Sequence, residues 1–446
     1  MRIVLCLSHF MPQQTAGTEV YTLALGKALQ ASGHEVTVVI PNYDTTVGDE
    51  YFFEGLRVKR YAEPNHIDKA LVNGKRPPDG IKAFEALLKE LNPQIVHLQE
   101  LAGSSGIGIY HLRRMKRMHI KIVFTMHLAR YSCFTGSFMY KGIESCGGII
   151  DIKKCTECSL SKYPIHPLLK KTLSASSLAL YNLKINTGSI AHSAATALSF
   201  PFIINDFKKQ LFEVVDLCEY VIVLSEWYQE VLLANGIPGN KLKLVKQALP
   251  LKAPAMQRAT KEVIAPIQLV YIGRINPEKG LYLLLGAIKD LDEQKIAVYI
   301  YGSAKDEAYL NRLKDSVKGK GNIFWKGPIA QQNVISTISR YDALVIPSAT
   351  SEMSPLVIQE AFAAGVPVIG SNVAGIAEQV EEGKTGLLFT FLNEQSLKEK
   401  LLFLIQNPLY LRSLQKNILP PNEFETVVAA YFNIYKELIP ADFASA

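Results

Sequence analysis

Glu352 and Glu360 stand eight positions apart in Ser351-Glu-Met-Ser-Pro-Leu-Val-Ile-Gln-Glu-Ala-Phe-Ala-Ala-Gly-Val-Pro-Val-Ile369, and Arg274 and Lys279 stand five apart in Leu269-Val-Tyr-Ile-Gly-Arg-Ile-Asn-Pro-Glu-Lys-Gly280. Carboxylates accept hydrogen bonds from sugar hydroxyls and from a ribose diol. Paired cations grip a diphosphate, arginine as a planar fork and lysine as a point charge. They also neutralise a departing nucleotide without a divalent metal. The segment around the acids reads as a helix entered through Ser354 as N-cap, with Pro355 in its first turn. Gly365 ends it, and Val366–Ile369 is a short strand. Glu352 then lies in the loop before the helix and Glu360 more than a turn inside it, so the two share no helical face. Each motif also fits a plainer description: an acidic helix start with one solvated Glu, and a surface turn with two hydrated cations.

A repeating scaffold has to position these groups. Apolar strands alternate with helical patterns from end to end, which predicts β-α-β units and parallel sheets. The first half gives strands at Ile3–Leu7, Val36–Ile40, Val58–Tyr61, Ile95–Leu98, Ile122–Thr125, Tyr220–Leu224 and Leu242–Val245, interleaved with helices. After a poorly patterned stretch the alternation restarts at Leu269–Ile272 and runs to Leu387–Phe389. The fold class is therefore α/β, two Rossmann-like doubly wound domains facing across a cleft, with ligands outside the carboxyl ends of the strands. The expected division is an acceptor-side domain over 1–249 with an insert at 129–205, a linker at 250–266, and a second domain over 267–421. Residues 422–446 form an amphipathic helix expected to return to the first domain. With 446 residues, 48% of them hydrophobic, there is enough apolar material for separate cores, and a 20% charged content without low-complexity runs excludes a mainly disordered chain.

The net charge of +7 is carried by the first half, which suits an anionic acceptor or an anionic membrane surface, and nothing in the pattern asks for nucleic acid. The start, Met-Arg-Ile-Val-Leu-Cys-Leu-Ser, lacks the apolar run and cleavage site of a signal peptide. No span reaches about 18 consecutive apolar residues; Ile190–Ile204 comes nearest. The cytoplasm is the expected location. Arg113-Arg-Met-Lys-Arg117, on a predicted helix, fits peripheral contact with anionic headgroups or an ordinary solvated face.

Gly273-Arg-Ile-Asn-Pro-Glu-Lys-Gly280 followed by Glu352 and Glu360 resembles the retaining glycosyltransferases of family 4, which have the GT-B fold. Four further segments are similar to the family in order and spacing: Gly17 to Val38, Pro93-Gln-Ile-Val-His-Leu98, Val123-Phe-Thr-Met-His-Leu128 and Tyr220-Val-Ile-Val-Leu-Ser-Glu226. The resemblance implies roles. Gly17 heads a loop whose amides approach the donor phosphate, and His127 lies close to the transferred sugar. Arg274 and Lys279 hold the diphosphate, Glu360 binds the nucleotide ribose, Glu352 contacts the sugar, and amides near Met353 and Ser354 complete the donor cradle. His127 and Glu352 are the catalytic pair on this reading, and catalysis needs no metal or cofactor. Departures leave sugar and acceptor open: Ala16 where a second glycine is usual, Leu128 where Asp is common, and Lys246-Gln-Ala-Leu-Pro250 where many members have Asn-Gly-x-Asp.

Cys133, Cys146, Cys155 and Cys158 lie in the insert and end in Cys-x-x-Cys, while Cys6 and Cys218 fit core positions. Four thiols so spaced in a cytoplasmic chain suit structural zinc, and equally four reduced thiols in a loop-rich subdomain. A subset of family 4 is similar in having cysteines here. The expected partners are a nucleotide-diphosphate sugar and a glycan or lipid-linked acceptor, in surface polysaccharide assembly. Two rivals share the fold: an epimerase acting on the nucleotide sugar, and a non-catalytic partner subunit.

Overall fold

The computed structural model describes residues 1–15, 17–64, 76–101, 106–190, 192–250 and 265–439. Ala16 and nearly all of the expected linker, 251–264, fall outside them. The chain separates into two compact units. One comprises Met1–Gly136, Gly147–Lys246 and the terminal stretch from Phe424; the other comprises Ser137–Cys146 and Gln247–Glu423. The sequence reading placed all of 1–249 in one domain. Instead the short segment Ser137–Cys146 belongs with the second unit, where Ser351 N donates to Ser137 O at 3.2 Å.

The strands in chain order are β1 (Arg2–Cys6), β2 (Glu35–Tyr43), β3 (Asp49–Phe53), β4 (Leu56–Glu63), β5 (Ile95–Leu98), β6 (Lys121–Thr125), the two-residue β7 (Met139–Tyr140) and β8 (Glu144–Ser145), β9 (Tyr220–Val223) and β10 (Leu242–Leu244). In the first unit, eight of them form one sheet in the order β10-β9-β6-β5-β1-β2-β4-β3. All pairs are parallel except β3 with β4. That hairpin escapes the sequence reading because its strand Asp-Glu-Tyr-Phe-Phe does not alternate. Its two-residue turn is Glu54-Gly55, with φ of 45° and 88°, and both positive angles match the twist of a tight hairpin. The helix Gly17–Ala31 follows β1 and stops where Gly33 takes φ 83°.

The terminal helix, Phe424–Leu438, belongs to this first unit. Tyr431 and Tyr435 are fully buried there. Tyr21 Oη donates to Tyr431 Oη at 3.1 Å, and His97 Nδ1 lies 2.5 Å from Tyr435 Oη. Each ring contributes on the order of 2 kcal/mol by burial, and the hydroxyl contacts keep its polar end satisfied. The basic run of the helix Ile109–Arg117 is largely neutralised by its own unit. Arg113 Nε donates to Glu213 at 2.5 Å, Arg114 pairs with Glu85, and Lys116 Nζ lies 3.0 Å from Glu219. The sequence offered this run as a lipid contact, but three of its four cations already hold neighbouring helices and strands together.

The second unit contains β11 (Ile267–Ile272), β12 (Ile296–Tyr301), β13 (Ile323–Gly327), β14 (Ala343–Ile346), β15 (Val368–Ser371) and β16 (Gly386–Phe389), ordered β13-β12-β11-β14-β15-β16 and parallel throughout. Alternate residues enter different layers: Leu269, Tyr271, Ala343 and Val345 join one core, and Val270, Leu344 and Ile346 the other. Burial on both faces explains why these strands read as continuous apolar runs. Because β11 and β14 are neighbours, Leu269 opposing Ala343, the loops after them leave the sheet side by side.

Candidate active site

Of those two loops in the second unit, the one after β11 carries the cations. Tyr271 Oη donates to Arg274 O at 2.8 Å, and Asn276 Oδ1 accepts from Lys279 N at 3.0 Å, closing the short turn Pro277–Lys279. Gly280 follows at φ 66°, and a Cβ there would fall 1.8 Å from Pro347 O. Only glycine lets this turn lie against the loop after β14.

That second loop carries Glu352. Lys279 Nζ donates to Glu352 Oε1 at 2.6 Å, and Ser348 Oγ donates to the same oxygen at 2.8 Å. Both partners of the ion pair are mostly shielded, with side chains 27% and 17% exposed. Burial pushes the Glu352 carboxyl up, but the Lys279 charge and hydrogen bond, the Ser348 bond and the Arg274 charge outweigh it and hold it below the usual range. Arg274, Lys279 and Glu352 therefore form one electrostatic cluster. Gly375 N donates to Glu352 O at 3.0 Å, and a Cβ on Gly375 would lie 2.2 Å from Met353 O, so the loop is pressed onto the turn after β15. The amides of Met353 and Ser354 donate to no protein acceptor among the described residues.

The helix after this loop is Leu356–Ala363, starting one residue later than the expected Ser354 cap would give. Pro355, at φ −70° and ψ 117°, is its N-cap, and no side chain caps it. Ser354 Oγ is 3.5 Å from Gln379 Nε2, so this serine is turned to a neighbouring segment and is not the cap. Gly365 takes φ 69° after the last turn, and the strand begins two residues later than expected, at Val368. Glu360 is 6% exposed on this helix and accepts from Gln331 Nε2. Burial raises its carboxyl to about 7, against the opposing hydrogen bond. Lys279 and Glu352 are thus joined directly, whereas Glu360 has a separate partner, Gln331.

In the first unit the expected residues follow β1 and β6, the strands on either side of β5. Gly17 begins the helix after β1, and a Cβ on it would meet nothing within 4 Å. The protein's own contacts do not demand glycine there. His127 follows β6 and is 9% exposed, and burial lowers its imidazole to about 3, so the ring is neutral at physiological pH. Its Nε2 lies 3.2 Å from Gln99 Oε1. Sequence reasoning missed the polar groups beside it. Glu19 is 2% exposed, with Oε1 accepting from Gln14 at 2.6 Å and Oε2 lacking a protein partner; the Gln99 Nε2 is likewise unpaired. Burial first, then the Glu19 charge, raises Glu100, opposed by bonds from Ser8. These groups follow β1 and β5, where the strand order reverses, and that is the usual crevice of a doubly wound sheet. Gln99 and Glu100 stand directly after an apolar strand, a signal the sequence did contain. Gln331 and Tyr271 had none, because their partners are remote or are main-chain atoms.

Cys133, Cys146, Cys155 and Cys158 form no disulfide among the described residues, and Cys158 is buried. Among the described residues no group of three or more His, Cys, Asp or Glu side chains is placed to hold a metal ion. Nor is any described helix long and apolar enough to cross a membrane.

Residues 15–155 match the family Glycosyltransferase Family 4, and residues 255–418 match Glycosyl transferases group 1. Among curated proteins, the chain is 26% identical over 200 residues to the putative colanic acid biosynthesis glycosyltransferase WcaL of Salmonella typhimurium, covering 43% of this chain and 48% of that one. It is 22% identical over 399 residues to the GDP-mannose-dependent alpha-mannosyltransferase of Corynebacterium glutamicum, covering 87% and 76%. The chain spans about half the length of the first curated relatives it matches. Among solved structures, sucrose-phosphate synthase from Thermosynechococcus elongatus aligns with a TM-score of 0.66 at 18% identity, covering 98% of both chains. The fold is GT-B, two Rossmann-like domains with mostly parallel sheets.

Proposed function

We propose that this GT-B chain, with its Glycosyltransferase Family 4 and Glycosyl transferases group 1 domains, is a glycosyltransferase of surface polysaccharide assembly. It transfers a sugar from a nucleotide diphosphate to a glycan or lipid-linked acceptor. The observation that carries this reading is the Arg274–Lys279–Glu352 cluster, the Lys279–Glu352 ion pair with the Arg274 charge beside it, next to the open Met353 and Ser354 amides. Lys279 and Arg274 take the diphosphate, the free amides cradle it, and Glu352 accepts hydroxyls of the sugar. Glu360, with Gln331 behind it, accepts from the ribose diol. The neutral His127 offers hydrogen bonds to the sugar without adding a charge. The empty space over Gly17 supports close approach of a phosphate to that helix start.

Transfer proceeds with retention and without a catalytic metal. The bond between the anomeric carbon and the diphosphate oxygen breaks, and its electron pair leaves with the phosphate. The acceptor oxygen bonds to the same face, and its proton passes to the departing phosphate. The protein supplies placement and charge. The setting is the cytoplasm, at the inner membrane face where the acceptor is lipid-linked. A panel of nucleotide sugars tested by thermal shift and slow donor hydrolysis decides the reading: one donor should raise the melting temperature by several degrees and be hydrolysed. Folded protein that binds none of them overturns it.

Zinc on Cys133, Cys146, Cys155 and Cys158 is a separate proposal and has no part in transfer. Cys155 and Cys158 stand one turn apart on the helix Ile152–Ser161, the spacing that supports it, but the thiols are not a ready-made cluster and the ion would have to assemble them. About one zinc per chain is expected by metal analysis of protein purified without added metal. A metal-free chain with the same melting temperature before and after chelator would return the four to plain packing thiols.

A further inference from the structure

Water-exposed apolar side chains are unevenly spread over the described residues. Seven of the sixteen large exposed hydrophobics fall between Ile149 and Ile190, a short part of the chain. They include Leu168 at 66%, Leu169 at 49%, Leu183 at 69%, Ile185 at 50% and Ile190 at 57% exposed. Isolated exposed leucines are ordinary, but this concentration is not.

The helix Pro167–Asn182 organises them. Proline opens it, and His166 Nδ1 accepts from Leu168 N at 3.3 Å. It rests on the helices Ile152–Ser161 and Phe200–Leu217, with Ser174 and Ser177 buried in the contact. At about 100° per residue, Leu168, Leu169, Thr172, Ala175, Ser176, Ala179 and Leu183 share one side of the wheel. All seven are exposed, and none is charged. The opposite side packs inward through Leu173, Ser174, Ser177, Leu178, Leu180 and Tyr181, so Leu168, Leu169 and Leu183 are apolar residues in excess of what the helix needs to pack.

Charge decides what covers this face. Between Glu157 and Asp206 the chain contains no Asp or Glu, while Lys162, Lys170, Lys171 and Lys184 lie in the same stretch. Lys162 and Lys170 donate only to the neutral carbonyls of Thr135 and Ser161, at 3.3 and 2.9 Å, and none of the four forms an ion pair among the described residues. Contrast Arg113, Arg114 and Lys116, each tied to a carboxylate. Apolar residues flanked by uncompensated lysines complement a surface that is apolar inside and anionic at its boundary.

We propose that the helix Pro167–Asn182 and the stretch through Ile190 form a membrane-docking face that lies on anionic phospholipid, with the leucines in the acyl boundary and Lys171 and Lys184 at the headgroups. The helix belongs to the first unit and the donor cluster to the second, so the proposal does not depend on the transferase reading. The test is co-sedimentation of the full chain with phosphatidylcholine vesicles with and without phosphatidylglycerol. Wild type should bind the anionic vesicles strongly and the neutral ones weakly. Lys171→Ala with Lys184→Ala should lower anionic partitioning roughly fivefold per lysine, about 30-fold together. Leu168→Ser with Leu169→Ser and Leu183→Ser should lose binding to both vesicle types. Equal binding to both by wild type, or to neither, overturns the proposal. So does concentration-dependent dimerisation in sedimentation velocity that the serine variant abolishes, which would make this a contact between copies. If the serine variant fails to fold, hydrogen exchange on wild type decides: vesicles should protect 167–190, and unchanged exchange there is a refutation.

Discussion

Lys279→Ala is expected to slow donor turnover by a factor on the order of 10² to 10³, the usual consequence of removing one fixed charge from a developing phosphate oxyanion. Two things change together in this variant. The diphosphate loses a cation, and Glu352 loses the partner 2.6 Å away that offsets its burial. The second effect has a sign that can be checked. Glu352 is held below the ordinary carboxylate range in the folded state, so its pairing adds stability that is present above the unfolded value and is lost as pH falls through the folded one. Lys279→Ala should flatten that acid limb and lower stability near neutrality. Adding Glu352→Gln removes the stranded charge and should restore stability, yet leave turnover low. Recovery of turnover in the double variant would mean that the lysine acts only by neutralising Glu352. A folded single variant within about threefold of wild type in single-turnover measurements would remove Lys279 from the diphosphate.

The order of elements is legible in the chain because strands buried on both faces leave continuous apolar runs, as at Ala343–Ile346, where the expected strand and the observed one coincide. The GT-B fold followed from this alternation and the family resemblance together. Less legible was whatever depends on turns and remote contacts. Ser354 has the right type for an N-cap, but Pro355 takes that place, since its fixed φ serves an extended cap residue as well as a first-turn one. The hairpin at Glu54-Gly55 lacked an Asn or Asp in its first turn position. In the insert, the helix Pro167–Asn182 was not expected, because Leu168, Leu169 and Leu183 on its outer side blur the inward stripe of Leu173, Leu178 and Leu180. At the site, Arg274, Lys279 and Glu352 stood out by type and spacing. Gln331, whose hydrogen bond opposes the rise at Glu360, could be seen only once the chain was folded.

Glu360 makes the second large effect a pH effect. Its carboxyl is buried and raised to about 7, while His127 stays neutral because its own value falls to about 3. Between pH 6 and 8 Glu360 is therefore the proposed donor-site group that changes charge. A ribose diol donates hydrogen bonds best to the ionised form, so donor affinity should strengthen about tenfold from pH 6 to pH 8. An intact nucleotide sugar is the right probe, since its bridging diphosphate takes up no proton in this range. Glu360→Gln should bind weakly at every pH and show a flat profile, and Glu360→Ala should cut turnover by at least tenfold. Stability moves the opposite way. A folded value above the unfolded one means the folded chain holds its proton longer, so the contribution is complete below the unfolded value and is lost as pH rises through about 7. Wild type should thus become slightly less stable towards pH 8 while it binds donor more tightly, and Glu360→Gln should show neither trend. Donor binding that is independent of pH in the wild type, with a normal stability decline, would leave Glu360 as a buried acid of the second unit and move ribose recognition to another residue.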